Sequence, residues 1–432
     1  MQPSHHWDHL NEYLESALLQ HRAVEWRIVI TLMAASVSAP NQQSQSANRL
    51  APQTRAGEIE IAREQKAAAV HPETQLHAEQ VLQKIEDEKI MERIFGGVGG
   101  WRLKLGGMIV RSGFAAGPEY FRRFADDQVV FRASIRASTR HYYLVETGLD
   151  LPHLAQDHAF ANFYAVHFNY PSVEYYGPGP NSQKTGRSDY LLEQTSFQTR
   201  LGIEPIHRLR LGANGAFLLV NVGPGRDTEY SSTERLYSEA ATPGVLYQSN
   251  FVQGGGFAVL DLRDKPLLPH RGEFYAAQFT ANRALDGPYS FRRLDLEAQQ
   301  YIPFFNERRT FALRGRIQAT DPLSGNRVPF YMQPTLGGDS DLRGFRPFRF
   351  YDNASALFQA EYRWQIFYGM EMAVFADAGR VFDRWQDINF RQLRKDYGLG
   401  WRFNMSEAVF MRIDAGFSNE GFGVWLKFGN VF

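Results

Sequence analysis

Two successive stretches near the C-terminus, residues 354–367 and 372–382, alternate between apolar and polar side chains. Successive residues of a β-strand point to opposite faces, whereas a helix with 3.6 residues per turn would scatter such a pattern around its circumference. Ala356, Phe358, Ala360, Tyr362, Trp364 and Ile366 therefore share one side of the first stretch, and Gln359, Glu361, Arg363 and Gln365 share the other. In the second stretch Met372, Val374, Ala376 and Ala378 lie opposite Phe375, Asp377 and Gly379. One face is apolar throughout and the other carries a lone carboxylate. Strands that are greasy on one side and polar on the other suit the wall of a closed barrel in lipid, with the polar side turned inward.

The same rhythm extends back along the chain. Glycines at 96, 97, 99 and 100 mark a switch to β structure. Strands are predicted over 101–110, 160–171, 189–202, 207–221, 251–264, 273–283, 291–303, 309–320, 397–404, 409–417 and 422–432. Residues 128–151 are long enough for two short strands or one long one, and 113–120 read as a turn. Segments of roughly ten residues separated by turn chemistry are the expected rhythm of a barrel. Leu209, Leu211, Ala213, Phe217 and Leu219 mark a lipid side, with Arg208, Arg210 and Asn214 toward the lumen. Arg293, Asp295, Glu297 and Gln299, with Arg314, Arg316 and Gln318, give the lumen both charge signs, so it is either wet or cross-linked by ion pairs. Residues 223–249, rich in Gly, Ser, Thr and Pro, interrupt the pattern and read as a long extracellular loop.

Composition excludes several classes. Lys plus Arg equals Asp plus Glu at 47 each, so no net field recruits nucleic acid. Cysteine is absent, which rules out disulfides and thiolate metal sites. Mean hydropathy is −0.39, and no run of about 18 apolar residues offers a membrane helix. Aromatic residues make up 14%, which suits girdles at two lipid boundaries. No G-x-S-x-G, H-E-x-x-H or P-loop pattern occurs, and His141, His153, His158 and His167 lie outside any such motif. Neither an enzyme nor a cofactor is expected.

The N-terminal region divides by composition. Arg22 and Arg27 precede an apolar run at 28–37 that ends in Val37-Ser38-Ala39, so 1–39 read as a signal segment with an unusually long, partly acidic leader. Residues 40–57, rich in Gln, Ser and Asn, read as a disordered linker. Residues 58–97 read as a short helical periplasmic segment, with Val81, Leu82, Ile85, Ile90, Met91, Ile94 and Phe95 near helical spacing. The barrel is expected over 98–432.

Three motifs in order carry a resemblance to a known family. They are Asp261-Leu262-Arg263-Asp264-Lys265-Pro266 with Pro269 and Gly272, the loop 337–345 ending in Arg343-Gly344-Phe345, and Phe375-Ala376-Asp377-Ala378-Gly379. Together they resemble the outer-membrane assembly and secretion barrels, the superfamily of BamA, TamA and the two-partner secretion pores. The resemblance implies an all-β, transmembrane antiparallel barrel of about 16 strands in the bacterial outer membrane. It further implies a loop, 321–353, inserted into the lumen, with Arg343 paired to Asp377 and with Glu361 and Arg363 as candidates for the same network. Phe432, with Phe428, Leu426 and Val424, is similar to the family's C-terminal recognition signal, from which Asn430 departs.

The implied function is insertion or translocation of outer-membrane or secreted protein clients through a monomeric barrel, by opening of the seam between first and last strands. Lipid is the other implied partner; no nucleic acid is. Residues 40–97 are too short and strand-poor for the family's periplasmic capture modules, so the chain reads as a member without recognisable POTRA modules. A passive channel or structural barrel without clients is the alternative.

Overall fold

The computed structural model describes residues 99–106, 108–305, 308–367, 369–405, 408–428 and 432, all within one compact unit. The signal, linker and helical segments expected over 1–39, 40–57 and 58–97 lie outside the described residues. Eighteen strands follow in chain order. They are β1 (Trp101–Leu105), β2 (Ala115–Phe124), β3 (Val129–Ser138), β4 (Tyr143–Leu154), β5 (Ala159–Tyr175), β6 (Ser188–Ile206), β7 (Leu209–Pro224), β8 (Phe251–Asp261) and β9 (Gly272–Ala284). The series continues with β10 (Phe291–Phe304), β11 (Arg309–Pro322), β12 (Thr335–Leu336), β13 (Phe350–Tyr351), β14 (Ala354–Phe367), β15 (Met370–Phe382), β16 (Arg394–Met405), β17 (Ala408–Ser418) and β18 (Gly421–Phe428).

Sixteen of these form one antiparallel sheet in chain order, with β11 hydrogen-bonded to β14; β12 and β13 make a separate two-stranded ribbon. The fold is a transmembrane β-barrel. Turns after β2, β4, β6, β10, β14 and β16 are short, while 176–187, 225–250 and 323–353 are long and share the opposite end. Short turns belong to the periplasmic side and long loops to the outer side. The register places Gln359 beside Asp377 and Glu361 beside Phe375, all buried and inward, while Phe358, Ala360, Val374 and Ala376 are exposed outward.

Four features depart from the sequence reading or resolve it. The stretch 113–120 is not a turn: Ala115 to Tyr120 begins β2. Pro118 donates no hydrogen bond, so the ladder to β3 lapses between Ala116 and Glu119, but it pairs with Leu103 of β1 and the strand runs through. Residues 128–151 form two strands, β3 and β4, divided by a turn in which Ser138 N–H donates to Tyr142 O at 2.9 Å.

The lumen is cross-linked by ion pairs near the clasped loop, and a large apolar cluster fills part of its outer half. Leu218, Val220 and Val222 of β7 join Tyr175, Tyr190, Phe251, Phe330, Tyr331 and Tyr351 in one buried cluster. From Phe217 to Val220 β7 is apolar on both faces, with Phe217 and Leu219 exposed outward and Leu218 and Val220 buried against folded loops. Finally, β18 ends at Phe428, and Phe432 does not share the outward face of Val424 and Leu426. It is buried against Tyr301 and Ala312, 5.3 Å from the Arg363 guanidinium and 5.6 Å from that of Arg314.

Among the described residues, the chain just past β1 approaches the end of β18. A Cβ placed on Gly106, just past β1, would lie 3.3 Å from Phe428 Cδ2, and the rings of Phe114 and Phe428 are 6.4 Å apart. Among the described residues no ladder joins β1 to β18. After Leu105 the chain turns inward: Met108 enters the apolar cluster and Arg111 pairs with Glu174. Along most of its length β18, with Phe422, Val424 and Leu426 turned outward and exposed, therefore has no strand on its far edge among the described residues.

Candidate functional site

The loop between β11 and β14 closes on itself before it enters the barrel. Thr335 pairs with Tyr351 and Leu336 with Phe350, so the ribbon β12–β13 gathers 337–349 into a finger. Gly337 and Gly338 have φ of +117° and +107°, a backbone region that side chains rarely adopt, and both allow the chain to turn at the root of the finger. Phe345, Leu342, Leu336 and Phe350 pack with Leu357 and Val381 of the wall, which fixes the finger by apolar contact before any charge is considered.

Arg343 projects from this finger and is fully buried. Its Nε donates to Asp377 Oδ2 and its Nη2 to Asp377 Oδ1, both at 2.8 Å, while its backbone N–H reaches the same carboxylate at 3.3 Å. Two parallel bonds from one guanidinium to one carboxylate set orientation as well as charge. Nη1 donates to Glu361, and the Phe375 ring lies 3.4 Å from the guanidinium carbon. Glu361 also accepts from Arg363 Nε at 2.7 Å and Arg402 Nη2 at 3.0 Å. Asp414 accepts from Arg402 at 2.6 Å and Arg412 at 2.7 Å and lies 3.9 Å from Arg343 Nη1. The structure thus brings Arg343, Phe375, Asp377, Glu361 and Arg363 into a single cluster.

Gly344, Phe345 and Gly379 serve the packing around it. A Cβ on Gly344 would sit 2.6 Å from Asp396 Cβ and 2.8 Å from Phe417 C. One on Gly379 would meet Ala356 O at 2.9 Å and Leu336 Cδ1 at 3.1 Å. Close approach of finger to wall is what these positions provide.

Several members of the site escaped the sequence reading. Arg402, Arg412 and Asp414 complete the charge network, and Trp425 Nε1 donates to Arg343 O at 2.7 Å. Gly416 forms the floor: a Cβ there would fall 2.6 Å from both C and O of Arg343. The available signal was register. Arg402 stands directly opposite Arg412, and two buried cations in that position require an acid between them.

At the outer end of the finger Asp352 follows β13. Burial, reinforced by the charge of Asp383, pushes its carboxyl up to about 6 even though Asn353 N–H donates to it. A raised carboxyl pKa means that the folded state binds the proton more tightly, so ionisation above pH 6 costs stability, and the cost fades as pH falls toward 4. Asp352→Asn should therefore stabilise the loop by roughly 1–3 kcal/mol at pH 8 and by almost nothing at pH 4. Protease protection of 323–353 across that range measures it; a gain that does not change with pH would contradict the assignment.

The hairpin motif is also in place. Asp264 Oδ1 accepts from the backbone N–H of His270 and Arg271 at 3.0 and 3.1 Å, and Arg263 forms an ion pair with Asp261 at 2.8 Å.

The chain is similar to several known proteins. The family model described as the Omp85 superfamily domain matches residues 127–420. Among solved structures, BamA from Haemophilus ducreyi lacking POTRA domains 1–3 superposes with a TM-score of 0.55 at 12% identity, over 81% of this chain and 76% of that one. CdiB from Escherichia coli gives 0.45 at 13% identity, over 76% of this chain and 60% of that one. CdiB from Acinetobacter baumannii gives 0.42 at 11% identity, over 73% and 57%. The family match covers well over half of the sequence, and the chain therefore belongs to the Omp85 superfamily, barrels of the bacterial outer membrane that serve protein insertion and translocation.

Proposed function

We propose that this barrel inserts or translocates polypeptide by opening between β1 and β18 while the finger stays clasped to the wall by Arg343 and Asp377. The observation that carries the reading is the join itself. Among the described residues no ladder joins β18 to the short β1, so parting the two breaks few backbone hydrogen bonds. An unpaired edge is also a template for strand addition by a client. The clasp binds to β14, β15 and β17, so the wall next to the opening is braced from within as it parts. Apolar packing across the outer lumen supports a client barrel over an open solute channel.

The absence of native cysteine permits a specific test. Cysteines replacing Phe114 and Phe428, joined by a short disulfide-containing bis-maleimide, should block the seam. Depletion of the native chain should lower particular outer-membrane or surface proteins, and the bridged variant should restore them only after reduction of the linker. An unchanged outer-membrane proteome on depletion would overturn the reading, and it would favour a client-free barrel if liposome conductance were lost with the protein.

A further inference from the structure

The loop between β15 and β16 folds back over the outside of the barrel. Ile388 packs on Ala354, Ala356 and Phe382, and the Phe390 ring lies 5.4 Å from that of Phe358 on the lipid-facing wall. Trp385 and Phe390 remain 52% and 68% exposed, so this folded-back segment still offers aromatic surface at the outer membrane boundary.

Cations stand beside it. Arg380 lies opposite Ala356 on the outward face, and Lys395, opposite Ala378, is its diagonal neighbour on the next strand. Arg380 Nη1 donates to Arg391 O at 3.1 Å and Gln392 Oε1 at 3.0 Å, which holds the backbone of exposed Arg391 beside it. Arg380 Nε is buried without a partner. The nearby acids are engaged elsewhere: Asp387 pairs with Arg384 at 3.0 Å, and Asp383 Oδ1 accepts from Asn353 at 3.3 Å. Among the described residues no carboxylate lies within ion-pair distance of Arg380, Arg391 or Lys395. Three uncompensated cations facing hydrocarbon would be costly; facing the phosphate layer of the outer leaflet they are favourable.

We propose that Arg380, Arg391 and Lys395, flanked by Trp385 and Phe390, bind the phosphate groups of an outer-leaflet glycolipid. The guanidinium fork of Arg380 holds a phosphate oxygen, Lys395 and Arg391 supply point charges, and the two rings rest against sugar and upper acyl carbons. The site depends on the outer-membrane setting and is independent of client insertion.

The test titrates the full chain in detergent micelles with fluorescent diphosphoryl lipid A and with the same lipid stripped of phosphate. The diphosphoryl form should bind at least about tenfold more tightly. Arg380→Gln combined with Arg391→Gln and Lys395→Gln should remove that preference, as should a smaller share of it be lost in Lys395→Gln alone, whose exposed side chain supports no fold contact. Arg384→Gln, already paired to Asp387, should leave it unchanged. Equal binding of both lipids, or displacement of lipid A by millimolar inorganic phosphate, would overturn the proposal.

Discussion

Arg343→Met should release the finger from the lumen and impair function while strand content stays intact. The substitution preserves much of the side-chain volume but leaves Asp377 and Glu361 buried beside one another without the cation they share. Removing one partner of a buried ion pair costs on the order of 3–5 kcal/mol, because the remaining charge keeps its desolvation penalty. Asp377→Ala should cost less, since Arg343 keeps Glu361 as an acceptor. The double variant should be little worse than Arg343→Met alone. Urea unfolding of the reconstituted barrel and proteolysis within 337–349 read the two halves of this expectation. Losses that add in full would mean that the two residues act separately.

Gly416→Val should be nearly as damaging without touching a charge. Its side chain would enter the space held by the Arg343 carbonyl, with the first carbon already 2.6 Å from backbone atoms that cannot swing aside. Overpacking of this kind costs roughly 1–3 kcal/mol, and more where backbone opposes it. Gly315→Val is the matched control. A Cβ at Gly315 meets only Phe358, at 3.8 Å, in ordinary contact. If the two variants were equally stable and equally active, the finger would not be seated as described.

The parts of this molecule that alternate strictly were readable from the chain. Gln359, Glu361, Asp377 and their outward neighbours sit on the faces that a two-residue period assigns them. Register between neighbouring strands was not readable from either strand alone, because the inward position of Arg402 acquires meaning only when β16 is aligned with β17 and Arg412 falls opposite it. The stretch 113–120, expected as a turn, is strand instead, and Pro118 stays within it because its other edge is paired with β1. The apolar outer lumen was hidden at Leu218, Val220 and Val222, where burial against loops on one side and lipid on the other erases the polar half of the pattern. Arg343 and Asp377 were reached through family resemblance rather than by periodicity, as a loop arginine has no period to betray its partner.

The described partners of Arg343 share one further property: Glu361, Phe375, Asp377, Asp414 and Trp425 all come later in the chain. A nascent barrel can zip its earlier strands together without engaging them, but this cation finds its full enclosure only when the final hairpin arrives. Docking of the finger therefore reports that the wall is complete, and a chain cut short before β17 and β18 would leave its most deeply enclosed arginine without its floor.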